Sequence, residues 1–193
     1  MSVWSDLIEA CRDVAERAAQ TLDWWTNYFT NASPLTIALD QVTLGRAALY
    51  EALLESPDSH LPKAVSEINA AVDGLRRAGN MAYLPSGLLT RARLRCLEGT
   101  LTGPDSAQED LDEAWEIAER GPMRLFLADI HLYRARLFGN AKRIGGSGYP
   151  WNKNADGSMR GPKDDLAAAR KLIEQCGYWR RREEMEDAEA IIK

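Results

Sequence analysis

A six-residue pattern, Leu-x-Arg-Ala-x-Leu, occurs three times in the chain: LGRAAL at 44–49, LTRARL at 89–94 and LYRARL at 132–137. The copies begin 45 and 43 residues apart, a period that points to stacked supersecondary units rather than one irregular core. Each copy falls on a stretch with helical apolar spacing, and each is followed by a second helical stretch with its own echo. Those echoes are Ala64-x3-Ile68-x2-Ala71, Ala107-x3-Leu111-x2-Ala114 and Pro162-x3-Leu166-x2-Ala169. Small residues at set points let two helices approach, and the larger neighbour fills the groove beside them. Ala47, Ala92 and Ala135 are therefore expected as close-approach points, with the flanking leucines in the core. Arg46, Arg91 and Arg134 are expected to share a structural role, such as pairing with an acid on the second helix of a pair.

Between punctuating residues, the period predicts helices near 3–29, 35–55, 61–78, 84–98, 105–120, 123–138, 163–175 and 180–192. The first places Leu7, Cys11, Val14, Ala18, Leu22, Trp25 and Phe29 on one stripe. Ser33-Pro34 suits a cap and first helical position, and Ser106 with Glu109 has the spacing of a capping box. No alternating strand is evident. The expected fold is all-α, an α-solenoid of three to four antiparallel helix pairs forming one domain over 1–193.

Net charge of −5 weighs against a broad phosphate-neutralising face, so a nucleic-acid footprint is disfavoured. No apolar run reaches the roughly 18 residues needed to cross a bilayer, and the amino terminus shows no secretory pattern. Cys11, Cys96 and Cys176 are isolated and odd in number, which fits small buried thiols in a reducing cytoplasm. With only His60 and His131 present, neither a metal site nor a histidine-based nucleophile has much to draw on. No cofactor and no catalytic residue is expected, and His131 is expected as a packed core histidine.

The paired large-then-small step and the Ala-x3-large-x2-Ala echo resemble the tetratricopeptide repeat family over about residues 35–178. The family has Leu-Gly where this chain has Arg-Ala, and its repeats are shorter. Segments such as ALDQVTLGRAALYEAL and DDLAAARKLIEQCGYWRRREEMEDAEA are similar to the carboxy-terminal helical arrays of bacterial NACHT or STAND signalling and defence proteins. That resemblance implies a non-catalytic sensing or docking scaffold, the repeat arm of a bacterial signalling or anti-phage defence protein. A regulatory subunit that docks a separate protease or nuclease is the alternative, and a nucleic-acid-binding helical repeat a weaker one. The implied partner is a protein or peptide, or amino-terminal domains of the same longer protein; the aromatic-rich first helix, lacking a mate, fits a fragment. Peptide ligands of the family lie along the wall formed by the first helix of each pair, where Gln41, Arg93, Asp129 and Arg136 would fall.

The most unusual stretch is the Gly-rich insertion at 139–162, GNAKRIGGSGYPWNKNADGSMRGP. Between Gly139 and Lys163 it carries five basic residues against Asp156 alone, so the rest of the chain is strongly acidic. Lys142, Arg143, Tyr149, Trp151, Lys153 and Arg160 are the candidate partner-binding residues of this loop. RIGGSG lacks the Lys and Ser/Thr of a P-loop, and Asn152, Asn154, Asp156 and Gly157 open a calcium-loop pattern that ends on Lys163 instead of Glu. Basic residues beside Tyr149 and Trp151 also suit stacking on single-stranded bases, without a second such cluster to support it. Removing 141–160 is expected to leave the helices largely intact. The closing YWRRREEMEDAEAIIK is expected to cap the last pair.

Overall fold

Apolar residues recurring every three or four positions, set between Gly and Pro breaks, produce helices throughout the described chain. The structure is a computed structural model describing residues 3–29, 31–55, 57–139, 148–153 and 157–192. Its elements are α1 (Val3–Asn27), α2 (Pro34–Leu54), α3 (Pro57–Ala78), α4 (Leu84–Leu97), α5 (Ala107–Arg120), α6 (Arg124–Phe138), α7 (Pro162–Cys176) and α8 (Arg182–Ile191), the last entered through a 3-10 turn at Trp179–Arg181. Among the described residues the only strand-like pairing is an isolated antiparallel bridge between Lys153 and Met159. Again among the described residues, no helix is long and apolar enough to cross a membrane.

Seven helices match their expected spans within a few residues. The exception is α3, which starts at Pro57 rather than 61 and keeps Pro62 inside it. A proline this close to the start forfeits one backbone bond, and His60 fastens the early turn: its Nδ1 and Nε2 lie 3.0 and 3.1 Å from the carboxylates of Glu51 and Glu55. Ser33 occupies the cap position of α2 but makes no side-chain cap bond. Ser106 does cap α5, accepting from the Glu109 amide at 3.3 Å, while Glu109 reaches back to the amide of Asp105 at 2.7 Å. Gly177 ends α7 in the left-handed region (φ 63°), which lets the Tyr178 amide reach the Ile173 carbonyl at 2.9 Å.

The chain divides into two compact units, Met1–Leu94 and Arg95–Lys193. In the first, α1 packs on α2 and α2 along α3. Ala48 and Leu49 of α2 meet Ala64 and Ile68 of α3 and Leu94 of α4 in one core cluster. The tightest approach is at Gly45, inside the first copy of the repeated pattern, where a Cβ would stand 2.5 Å from Ile68 Cγ1. Helix α1 is half-wrapped. Ile8, Cys11, Ala15, Ala18, Leu22 and Trp25 are buried or half-buried, whereas Leu7, Val14 and Phe29 of the expected stripe are exposed, as are Trp24 and Tyr28. The three cysteines are half-buried, and burial, aided by the charge of Glu51, pushes the Cys11 thiol up.

In the second unit, α5 packs on α6, α6 on α7, and α8 touches both α6 and α7. Its core joins Ala128, Leu132 and Ala135 of α6 to Leu166, Ala169 and Ile173 of α7, closed by Tyr178, Met185 and Ala188. The alanines and leucines of all three repeated copies are buried. The arginines diverge. Arg46 reaches Thr90 Oγ1 at 2.9 Å and Ser86 Oγ at 2.8 Å on α4, hydroxyls rather than the expected acid. Arg134 does meet an acid, Asp112 of α5, at 3.3 Å. Arg91 is buried.

Candidate functional site

The second half of the Gly-rich insertion folds back onto α5, α6 and α7 and builds a polar cluster there. Helix spacing prepares it: Asp112 and Trp115 lie one turn apart on α5, and His131, Arg134 and Phe138 follow at three- and four-residue steps on α6. Asp165 sits in the first turn of α7, where the helix dipole favours a carboxylate.

Arg134 is the centre of one half. Its side chain is only 5% exposed, and its guanidinium carbon lies 4.5 Å from the Trp115 ring centroid and 4.4 Å from that of Trp151. Trp151 is held by its indole N–H, which donates to Asp112 Oδ1 at 2.6 Å, and by edge contacts with Phe138 and Tyr149. A cation held between two π-faces gains from both quadrupoles, more so when desolvated. Burial nonetheless draws the Arg134 guanidinium below its usual value, against the opposing charges of Asp165 and Asp112.

Asp165 is the centre of the other half. Fully buried, it receives the Tyr149 hydroxyl on Oδ2 and Arg160 on Oδ1, and His131 Nδ1 stands 2.5 Å from Oδ1. A carboxylate has only acceptors to offer, so Nδ1 carries the shared hydrogen. The Arg160 Nη2 that lies 3.0 Å from the same Nδ1 therefore directs its hydrogen at Asp165. Burial alone would raise the Asp165 carboxyl. The bonds from His131 and Tyr149 and the neighbouring positive charges outweigh it and hold the group below its ordinary value. Burial, with the charge of Asp165 and the bond to it, pushes the Tyr149 phenol up, so it stays a donor. The Trp115 ring meets His131 edge-on at 5.0 Å and joins the two halves.

Beside this network opens a cavity of ≈ 430 Å3. Its walls carry Arg134, Arg160 and Lys153 against Asp112, with Trp115 and Trp151 as apolar faces. The arrangement offers forked donors and fixed positive charge, which suits binding.

Of the residues singled out from sequence, Tyr149, Trp151, Lys153 and Arg160 come together here. The polar tips of Tyr149 and Trp151 are committed to carboxylates, and Arg134 lies over the Trp151 ring. Lys142, Arg143, Asn154 and Asp156 lie outside the described residues. Asp129 and Arg136 point at the chain's own carboxy-terminal segment: Arg181 Nε reaches Asp129 Oδ1 at 2.7 Å, Tyr178 donates to Oδ2 at 3.1 Å, and Arg136 pairs with Glu184 at 2.6 Å. In the first unit, Arg93 lies over the Tyr50 ring at 5.2 Å, and Gln41 is half-buried near Gly74. Asp112, Trp115 and Asp165 escaped notice because a lone acid or tryptophan on an amphipathic helix has no local signature. His131 is buried as expected, but as a member of a charged network rather than as apolar filling.

No protein-family model matches the chain, and no curated protein or solved structure matches it either.

Proposed function

We propose that the chain is a non-catalytic protein-interaction module, its helices paired as in tetratricopeptide repeats and stacked as a solenoid, serving as the docking arm of a bacterial signalling or defence protein. The observation that supports this is the outer face of α1. Along α1, Cys11, Ala18, Leu22 and Trp25 are buried or half-buried, and large apolar side chains beside that stripe stay uncovered. Leu7 (47%), Val14 (44%) and Trp24 (47%) of α1, with Tyr28 (74%) and Phe29 (54%) just past its end, are exposed. Large apolar side chains left uncovered along one helix suit a docking site.

The occupant that fits is a partner helix with its own apolar stripe flanked by Lys and Arg. Helix α1 carries Asp6, Glu9, Asp13, Glu16 and Asp23 against two arginines, one of which, Arg12, is engaged with Glu55 at 2.6 Å. The test uses two designed helices with the same leucine seam, one flanked by lysine and one by glutamate. The lysine helix is expected to bind saturably and the glutamate helix not. Leu7→Asp with Val14→Asp should abolish binding while leaving melting within about 0.5 kcal/mol, as for exposed positions generally. Equal binding of both helices would overturn the reading, as would a chain that self-associates through α1 when sedimented alone.

A further inference from the structure

The cavity beside Arg134 has the makings of an anion site. Arg134 is nine-tenths buried, yet its only carboxylate contact among the described residues is the 3.3 Å approach of Asp112. Asp112 Oδ1 is shared with the shorter bond from Trp151. Among the described residues, the buried Nε of Arg134 and that of Arg160 both lack a hydrogen-bond partner. A desolvated guanidinium with unfilled donors costs free energy until an acceptor meets them. Both arginines also line the same cavity, where their terminal N–H donors can meet one ligand.

The charge balance narrows the class. Arg134, Arg160 and Lys153 face Asp112 across the cavity, and with Asp165 bonded to Arg160 behind the wall the site keeps one net positive charge. A phosphate monoester carries about −1.5 to −2 at neutral pH and three acceptor oxygens. Forked arginine donors match such oxygens better than a point charge does. We propose that this cavity binds a phosphate monoester group, gripped by Arg134 and Arg160, with Lys153 at its rim. The site is independent of the α1 face: it lies in the other compact unit and uses none of the same residues.

Calorimetric titration of the intact chain with inorganic phosphate, in phosphate-free buffer, tests it, with acetate as the control anion. Saturable heat is expected, with a dissociation constant on the order of 1 mM for so small a probe. Lys153→Gln, at an exposed position, should weaken it by about threefold, and Arg160→Gln by about tenfold. Lys163→Gln, a nearby exposed lysine off the cavity wall, should leave it unchanged. Absence of saturable heat, equal heat from acetate, or equal effects of Lys153→Gln and Lys163→Gln would each overturn the proposal. The lysine pair keeps the test decisive if Arg160→Gln unfolds the unit.

Discussion

Asp165 Oδ1 and His131 Nδ1 meet at 2.5 Å, joining α6 and α7 across 34 residues of chain. The insertion lies between them, and it too answers to Asp165 through Tyr149 and Arg160. Removing one member of a buried charged set leaves the others desolvated and unpaired, at a cost of about 3–5 kcal/mol. Asp165→Asn is therefore expected to lower stability by roughly 3 kcal/mol, read from urea unfolding at neutral pH. A loss below that of an ordinary surface substitution would show that the network carries no stability.

The same carboxylate sets an acid limit. Its folded value lies below the ordinary one, so the folded state favours the ionised form. That contribution is fully present above about pH 4, the ordinary range that holds in the unfolded chain. It is lost as pH falls through that range toward the lower folded value. Wild type and Asp165→Asn are thus expected to unfold at midpoints that converge below about pH 4. Urea titrations at successive pH values measure it; a gap that stays constant into acid would contradict it.

Two glycines separate rigid from yielding contacts. At Gly45 a Cβ would stand 2.5 Å from Ile68 Cγ1 and 3.1 Å from the Ile68 amide nitrogen, a stiff β-branched side chain on fixed backbone. At Gly87 the nearest atom is Leu75 Cδ1 at 2.9 Å, the free end of a side chain. Replacing a helical glycine by alanine gains about 1 kcal/mol in propensity, and overpacking costs about 1–3. Gly45→Ala should then destabilise by about 1 kcal/mol net, while Gly87→Ala should be close to neutral. Thermal melting of the two variants side by side decides this.

Adjacent arginines near the carboxy terminus should behave unlike each other. Arg181 neutralises Asp129, whose side chain is 5% exposed, and also pairs with Glu184 at 2.6 Å. Among the described residues, Arg182 pairs with Glu186 alone, one turn away in solvent. Arg181→Ala is expected to cost about 3 kcal/mol because it strands a buried carboxylate. Arg182→Ala should leave the melting temperature unchanged.

Helix content was plain in the sequence because the apolar period, Gly177 and the Ser106–Glu109 pair all act within a few residues. Register on α1 was harder: apolar residues at both 7 and 8, and small ones at both 14 and 15, allow two neighbouring stripes, and packing on α2 selects Ile8 and Ala15. The site was legible in part. Tyr149, Trp151 and Arg160 stood out as a loop of basic and aromatic residues, but that composition reads as outward-facing. Their carboxylate partners sit 16, 39 and 5 residues away, and no local pattern tells a donor which distant acid will turn it inward. For the same reason, excising 141–160 would remove three buried or half-buried anchors of the second unit, so the expectation of an intact fold no longer follows. Arg46 shows the converse, since a motif repeated in letters finds hydroxyls in one copy and an acid in another.

The six tryptophans fall into two optical populations. Trp4, Trp24 and Trp179 are exposed, while Trp25, Trp115 and Trp151 are half-buried, the last two against the Arg134 guanidinium. The first set should emit toward the red and yield to aqueous quenchers, and the second should emit toward the blue and resist them. The chain thus carries two intrinsic lamps: the exposed Trp4, Trp24 and Trp179 report on coverage of α1 and the carboxy-terminal turn, and Trp115 and Trp151 report on the arginine between them.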